Sequence, residues 1–140
     1  MFVKKLKCMS ESILVVEDNQ DLSLLFKLVL ESAGYQVATL DDGRDALAEV
    51  EKIRPQLILM DIMMPETNGL QVSRHIKEQS NYRSLPILLV SALDCLQQEQ
   101  LDRSKADGII YKPFDLDYFV DKVNQMTSSQ IPSSNSLSVG

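Results

Sequence analysis

The chain has 140 residues, 44% of them hydrophobic, which suffices for one domain with its own apolar core. Fourteen basic against twenty acidic residues give a formal charge of −6, which argues against a nucleic-acid-binding body. No apolar run approaches the ~18 residues of a membrane-spanning helix.

Lys4, Lys5 and Lys7 form a short basic extension over residues 1–10, so residues 11–126 hold eleven basic and twenty acidic groups. That stretch reads as the folded domain. Within it, short β-rich apolar runs alternate with amphipathic helical stretches. Ile13 to Val16 is the first strand and ends in Glu17-Asp18. Asp18 or Asn19 can cap a helix with Leu22, Leu25, Phe26, Val29, Leu30 and Ala33 on one stripe, and Gly34 stops it. Tyr35 to Leu40 is a second, more exposed strand. The turn Asp41-Asp42-Gly43 leads to a helix with Ala46, Leu47, Val50 and Ile53 inward, ended by Pro55.

Leu57 to Met60 is apolar on both faces, as a central parallel strand should be, and delivers Asp61 at its carboxyl end. A loop from Met63 to Gly69 precedes a third helix that buries Val72 and Ile76. Pro86 to Val90 is the fourth strand, with Ser91 directly after it. The fourth helix, roughly Asp94 to Lys105, has only Leu96 and Leu101 among polar residues, so weak packing is expected. Gly108 to Tyr111 is the fifth strand. Lys112-Pro113 makes a turn, and Leu116, Phe119, Val120 and Val123 give the last helix its buried face. Residues 127–140 hold six serines and no charge, and read as a disordered tail.

Five βα units with short connections imply an α/β fold: a doubly wound five-stranded parallel sheet, order 2-1-3-4-5, with five helices. In such folds the ligand site lies beyond the carboxyl ends of the strands, at the switch point between strands one and three. Glu17, Asp18 and Asp61 all stand there. Three converging carboxylates repel one another unless a cation compensates, and hard oxygen donors without His or Cys favour magnesium over zinc. Lys112 and Ser91 emerge on the same edge and offer a cation and a hydroxyl to phosphate oxygens. Singly, Asp61 reads as a loop or capping carboxylate and Glu17-Asp18 as an ordinary acidic helix start. The set points to phosphate chemistry. His75 reads as a helix-surface residue, and Cys8 and Cys95, far apart and outside any C-x-x-C, as reduced thiols of a cytoplasmic protein.

Glu17-Asp18, Met60-Asp61-Ile62-Met63-Met64-Pro65 with Gly69, Ser91-Ala92 and Lys112-Pro113-Phe114 together resemble the receiver domain of two-component response regulators, over about residues 11–126. The resemblance implies a flavodoxin-like receiver fold. It also implies that Asp61 accepts a phosphoryl group from a phosphohistidine on a sensor histidine kinase or histidine phosphotransfer protein. Asp18, Asp61 and the backbone carbonyl of Met63 would bind Mg2+, with Mn2+ as an acceptable substitute, and Glu17 would act mainly through a metal-bound water. Lys112 would pair with the phosphate, Ser91 would move to hydrogen-bond it, and the surface of helix four, strand five and helix five would change for a downstream effector. Gln97, Gln98 and Arg103 would offer contacts there.

Three departures qualify the resemblance. Ile109 stands where an aromatic residue is usual, with Tyr111 on the same strand face. Met63 and Leu93 are apolar where polar side chains tune hydrolysis, so slow self-dephosphorylation is expected. Lys105 stands where glycine is common. The fourteen residues after Met126 are too few for another folded domain, so output is expected through a protein partner, without nucleic acid or membrane; the resemblance is compatible with a phosphorylation-dependent dimer. The alternative is a phosphorylation-independent, receiver-like interaction domain. A turnover enzyme is not expected: a phosphohydrolase would place a second acid at Met63, and neither G-x-x-x-x-G-K-[ST] nor G-x-G-x-x-G occurs.

Overall fold

The computed structural model describes residues 12–92 and 96–128. Five parallel strands, β1 (Ser12–Val16), β2 (Gln36–Leu40), β3 (Leu57–Asp61), β4 (Ile87–Ser91) and β5 (Gly108–Tyr111), form one sheet. Its order is β2-β1-β3-β4-β5, as the sequence predicts. The helices are α1 (Gln20–Ser32), α2 (Ala46–Ile53), α3 (Gly69–Lys77), α4 (Gln98–Ser104) and α5 (Leu116–Ser128).

Alternation along the strands divides the interior into two apolar layers. Ile13, Val15, Leu57, Leu59, Leu88, Val90 and Ile110 face α1 and α5, meeting Phe26, Leu30, Phe119 and Val123. Leu14, Val16, Ile58, Met60, Ile87 and Leu89 face α2 and α3, meeting Ala46, Val50 and Ile76, with Leu101 of α4 at the margin. Every residue of β3 and β4 is buried, because both faces are covered. The edge strand β2 is half-exposed.

Local signals act largely as read. Asn19 caps α1, accepting from Leu22 N at 2.9 Å. Gly34, at φ +103°, takes the chain out of the helix where a side chain would be strained. Arg54, in the left-handed region at φ 48°, closes α2 before Pro55.

Six expectations need correction. The buried stripe of α1 is narrower than expected: Leu25 is 40% exposed and Ala33 is also exposed, so Phe26 and Leu30 carry the contact with Leu22 and Val29 beside them. The stretch after Asp61 is an antiparallel ribbon, Met63–Met64 against Thr67–Asn68, pinned to the core by Met64. In α3 Ser73 is buried with Ile76, whereas Val72 is half-buried. α5 buries Phe119 and Val123, leaving Val120 half-buried and Leu116 exposed. The fourth helix begins at Gln98, capped by the extended Gln97, later than the expected Asp94. Thr127 and Ser128, expected in the disordered tail, extend α5 because Thr127 is buried against it. Leu93, Asp94, Cys95, residues 1–10 and residues 129–140 lie outside the described residues.

A buried polar seam joins α3 to α4 and to the starts of β4 and β5. Lys77, only 7% exposed, donates from Nζ to Asp107 Oδ2 at 2.7 Å and to the carbonyl of Leu85 at 2.9 Å. The same Asp107 oxygen accepts from Ile87 N at 2.9 Å. Ser73 Oγ donates to the Ser104 carbonyl at 2.8 Å, and Ser104 is the one buried residue of α4. α4 is therefore held through its C-terminal end. Removing Asp107 would leave the buried ammonium short of an acceptor. Because the Asp107 side chain is 43% exposed, water replaces part of the interaction. Asp107→Ala is expected to cost about 2 kcal/mol by urea denaturation, and an unchanged midpoint would contradict this role.

Candidate metal and phosphoryl site

The site lies at the carboxyl ends of the central strands, where β1 turns toward α1 and β3 toward α3. Glu17, Asp61 and Lys112 continue the alternate rows that contain Val15, Leu59 and Ile110, so they share the sheet face turned toward α1 and α5. Backbone pairing extends past the strands to hold them: Glu17 N donates to Leu40 O at 2.9 Å and Lys112 N to Ser91 O at 2.8 Å. Phe114, two residues beyond Lys112, stacks on Phe26 with centroids 6.0 Å apart and packs against Phe119 at 5.5 Å. This aromatic anchor ties the lysine loop to α1 and α5. The Lys112-Pro113 peptide is cis.

Glu17, Asp18 and Asp61 each bring a carboxylate oxygen within 4.8 Å of the others. Glu17 is 2% exposed and Asp61 5%. Lys112 Nζ stands 3.9 Å from Glu17 Oε1 and 4.0 Å from Asp61 Oδ1. Glu17 Oε2 accepts from Asn19 N at 3.2 Å and Asp61 Oδ1 from Met63 N at 3.3 Å, but the buried Glu17 Oε1 has no hydrogen-bond partner. One lysine thus faces a crowd of carboxylates, and one buried acceptor is unsatisfied. A hard divalent cation fits this donor set.

The electrostatics agree. Burial, followed by the charge of Asp61, pushes the Glu17 carboxyl from its ordinary 4.5 up to about 7. Burial also raises Asp61, opposed first by the hydrogen bond that a protonated Glu17 donates to it and then by Lys112 and the Met63 N–H. At neutral pH the metal-free site eases its repulsion by retaining a proton, chiefly on Glu17.

Gly69 fixes the acidic loop. Its N–H donates to Ile62 O at 2.8 Å, and a Cβ at this position would lie 2.2 Å from the Asp61 carbonyl oxygen. Only glycine allows α3 to start this close to the backbone of Asp61. Asn68 caps α3 by accepting from Leu70 N at 2.8 Å.

Glu17, Asp18, Asp61 and Lys112 are therefore brought together as the sequence predicts. Ser91 is fully buried at the end of β4, with Val90 paired to Asp61 and Ser91 itself paired to Tyr111. It lies on the opposite sheet face by alternation. The Asn19 N–H at Glu17 was not legible as a site contact, since Asn19 already reads as a helix cap. Ile109 packs in the layer that holds Leu96, Leu101 and Ala106, while Tyr111 is 41% exposed.

The raised Glu17 sets a pH dependence. Between about 4.5 and 7 the folded state binds more protons than the unfolded chain, so the contribution is complete below that window and is lost as pH rises through 7. Without metal, stability should fall by on the order of 2 kcal/mol from pH 5 to pH 8. Glu17→Gln should flatten the dependence. Urea midpoints in chelator check this, and stability rising over the range would contradict it.

The response regulator receiver domain model matches residues 13–124. The polar-differentiation response regulator DivK of Brucella anthropi is 32% identical over 116 residues, covering 82% of this chain and 94% of that protein. Among solved structures, the response regulator TrrA of Thermotoga maritima, in complex with magnesium and BeF, superposes with TM-score 0.75 at 29% identity, covering 83% and 98% of the two chains. The receiver domain of a Pseudomonas aeruginosa sensor histidine kinase, solved with magnesium coordinated in its active-site cleft, superposes with TM-score 0.76 at 30% identity, covering 85% and 98%.

Proposed function

The chain belongs to the response regulator receiver domain family, and from that premise we propose that Asp61 is the phosphoacceptor of its phosphorylation-activated signalling switch. The observation that supports this most is the buried Glu17–Asp18–Asp61 cluster with Lys112 Nζ about 4 Å from two of its carboxylates. Such an arrangement is costly for a fold that never uses it.

An Asp61 carboxylate oxygen attacks the phosphorus of a phosphohistidine; the new O–P bond forms as the N–P bond breaks, and the imidazole leaves. Positioning dominates such a transfer. Lys112 offers its ammonium to the oxygens of the phosphoryl group on Asp61. The Met63 N–H holds Asp61 Oδ1, and Phe114 keeps the lysine loop in place. Asp18, Asp61 and the Met63 carbonyl would hold Mg2+, with Glu17 acting on it indirectly, through water. When bound, the metal neutralises the carboxylates and the charge of the transferring group; Mn2+ is expected to serve as well.

Ser91 moves from its buried position to hydrogen-bond the phosphorylated Asp61, carrying the change toward the surface of α4, β5 and α5. α4 suits this role because only Ser104 among its residues is buried. The partners are a sensor histidine kinase or histidine phosphotransfer protein as donor and an effector protein as receiver of the signal. Residues 11–126 form the receiver unit. The basic extension 1–10 lies outside the described residues; of the serine-rich stretch 127–140, Thr127 and Ser128 complete α5 and residues 129–140 lie outside them. Among the described residues no helix is long and apolar enough to cross a membrane, and a cytoplasmic location suits two cysteines expected as reduced thiols.

Incubating the protein with Mg2+ and a small acyl phosphate should add one base-labile phosphoryl group by intact mass. The adduct should be absent in Asp61→Asn and form roughly tenfold more slowly in Lys112→Ala, about 1.4 kcal/mol in the barrier. With apolar Met63 unable to hydrogen-bond a water, it should persist well beyond minutes. No adduct on folded, magnesium-replete protein, with acyl phosphate and phosphohistidine donors alike, would favour the phosphorylation-independent interaction domain.

A further inference from the structure

The described methionines differ sharply in access to solvent. Met60 is 0% exposed and Met64 and Met126 are 8% exposed, each packed in an apolar layer, whereas Met63 is 57% exposed and belongs to neither layer. Met63 is also the residue whose N–H donates to Asp61 Oδ1 at 3.3 Å. Its thioether therefore branches from the backbone that touches the phosphoacceptor. The ribbon pairing of Met63 with Asn68 fixes that backbone without help from the side chain. A groove of about 480 Å³ runs along this ribbon, lined by Met63, Glu66, Asn68 and Gln71 among others, so small solutes reach the exposed Met63 side chain.

We propose that Met63 is an oxidation site at which peroxides set the lifetime of the phosphorylated state. This rests on Asp61 as the phosphoacceptor. The Met63 sulfur attacks one oxygen of hydrogen peroxide, the S–O bond forms and the O–O bond breaks. Sulfur is oxidised by two electrons, peroxide is reduced to water, and the proton on the transferred oxygen moves to the departing hydroxide. The product sulfoxide replaces an apolar group with a strong hydrogen-bond acceptor beside the aspartyl phosphate. A water near that acceptor can be oriented and polarised for attack on phosphorus, which the thioether cannot do. Because Met63 is not a core residue, oxidation leaves the fold intact; at Met60 or Met64 it would disrupt packing.

The test treats the full chain with hydrogen peroxide, then with dithiothreitol to return Cys8 and Cys95 to thiols. Peptide mass mapping locates the added oxygen. Treated and untreated samples are then phosphorylated with acyl phosphate and Mg2+, and loss of the phosphoryl group is followed by intact mass. Oxygen should appear on Met63 before Met60, Met64 or Met126, and the adduct should decay about fivefold faster, below the ~100-fold of a full general base. Methionine sulfoxide reductase should restore the slow decay. In Met63→Leu, whatever its starting rate, peroxide should cause no acceleration, and Met63→Gln should decay fast without oxidant. Oxidation of the buried methionines first, equal lifetimes with and without the Met63 oxygen, or the same acceleration in Met63→Leu would each overturn the proposal alone. Failure of untreated protein to take any phosphoryl group would overturn the Asp61 reading and this one with it.

Discussion

Two carboxyl groups, Glu17 and Asp61, are almost fully removed from water with Asp18 beside them, and one lysine cannot balance three potential negative charges. Their burial follows from the register of β1 and β3, which places both on the sheet face covered by α1 and α5. The resulting frustration is local and specific. It raises the proton affinity of Glu17, leaves one of its oxygens without a hydrogen bond, and creates a demand for a hard cation. The proposed phosphoryl acceptance at Asp61 would exploit the same arrangement.

The surrounding fold holds these groups in conflict. β3 and β4 are buried throughout, so the strand ends that carry Asp61 and Ser91 are covered on both faces. Gly69 lets α3 begin against the Asp61 backbone, and the Phe26–Phe114–Phe119 group holds the Lys112 loop. By contrast, α4 is fastened mainly through Ser104. A switch needs this difference between a stiff site and a weakly held reporter element.

Much of this was legible in the sequence because periodicity and chain order determine where strand ends meet. The uninterrupted apolar run before Asp61 identified β3 as central, and five βα units with short links left few topologies. Signals that depend on three-dimensional partners were not legible. Lys77 looks like a solvated helix lysine, yet it is buried because Asp107, thirty residues on, supplies its acceptor. Leu25 fits the apolar stripe of α1 but is exposed, since helical spacing defines a stripe and not the width of the surface it meets. The ribbon after Asp61 has two-residue strands, too short for an alternation pattern.

The most direct test of the strained carboxylate cluster is the proton balance of magnesium binding, measured by calorimetry in two buffers of different ionisation enthalpy. Because the Glu17 carboxyl is raised to about 7, Mg2+ at pH 6 should displace close to one proton per ion, falling toward none at pH 8.5. Glu17→Gln should release little at either pH. Magnesium binding to the unaltered protein at pH 6 without proton release would contradict the account.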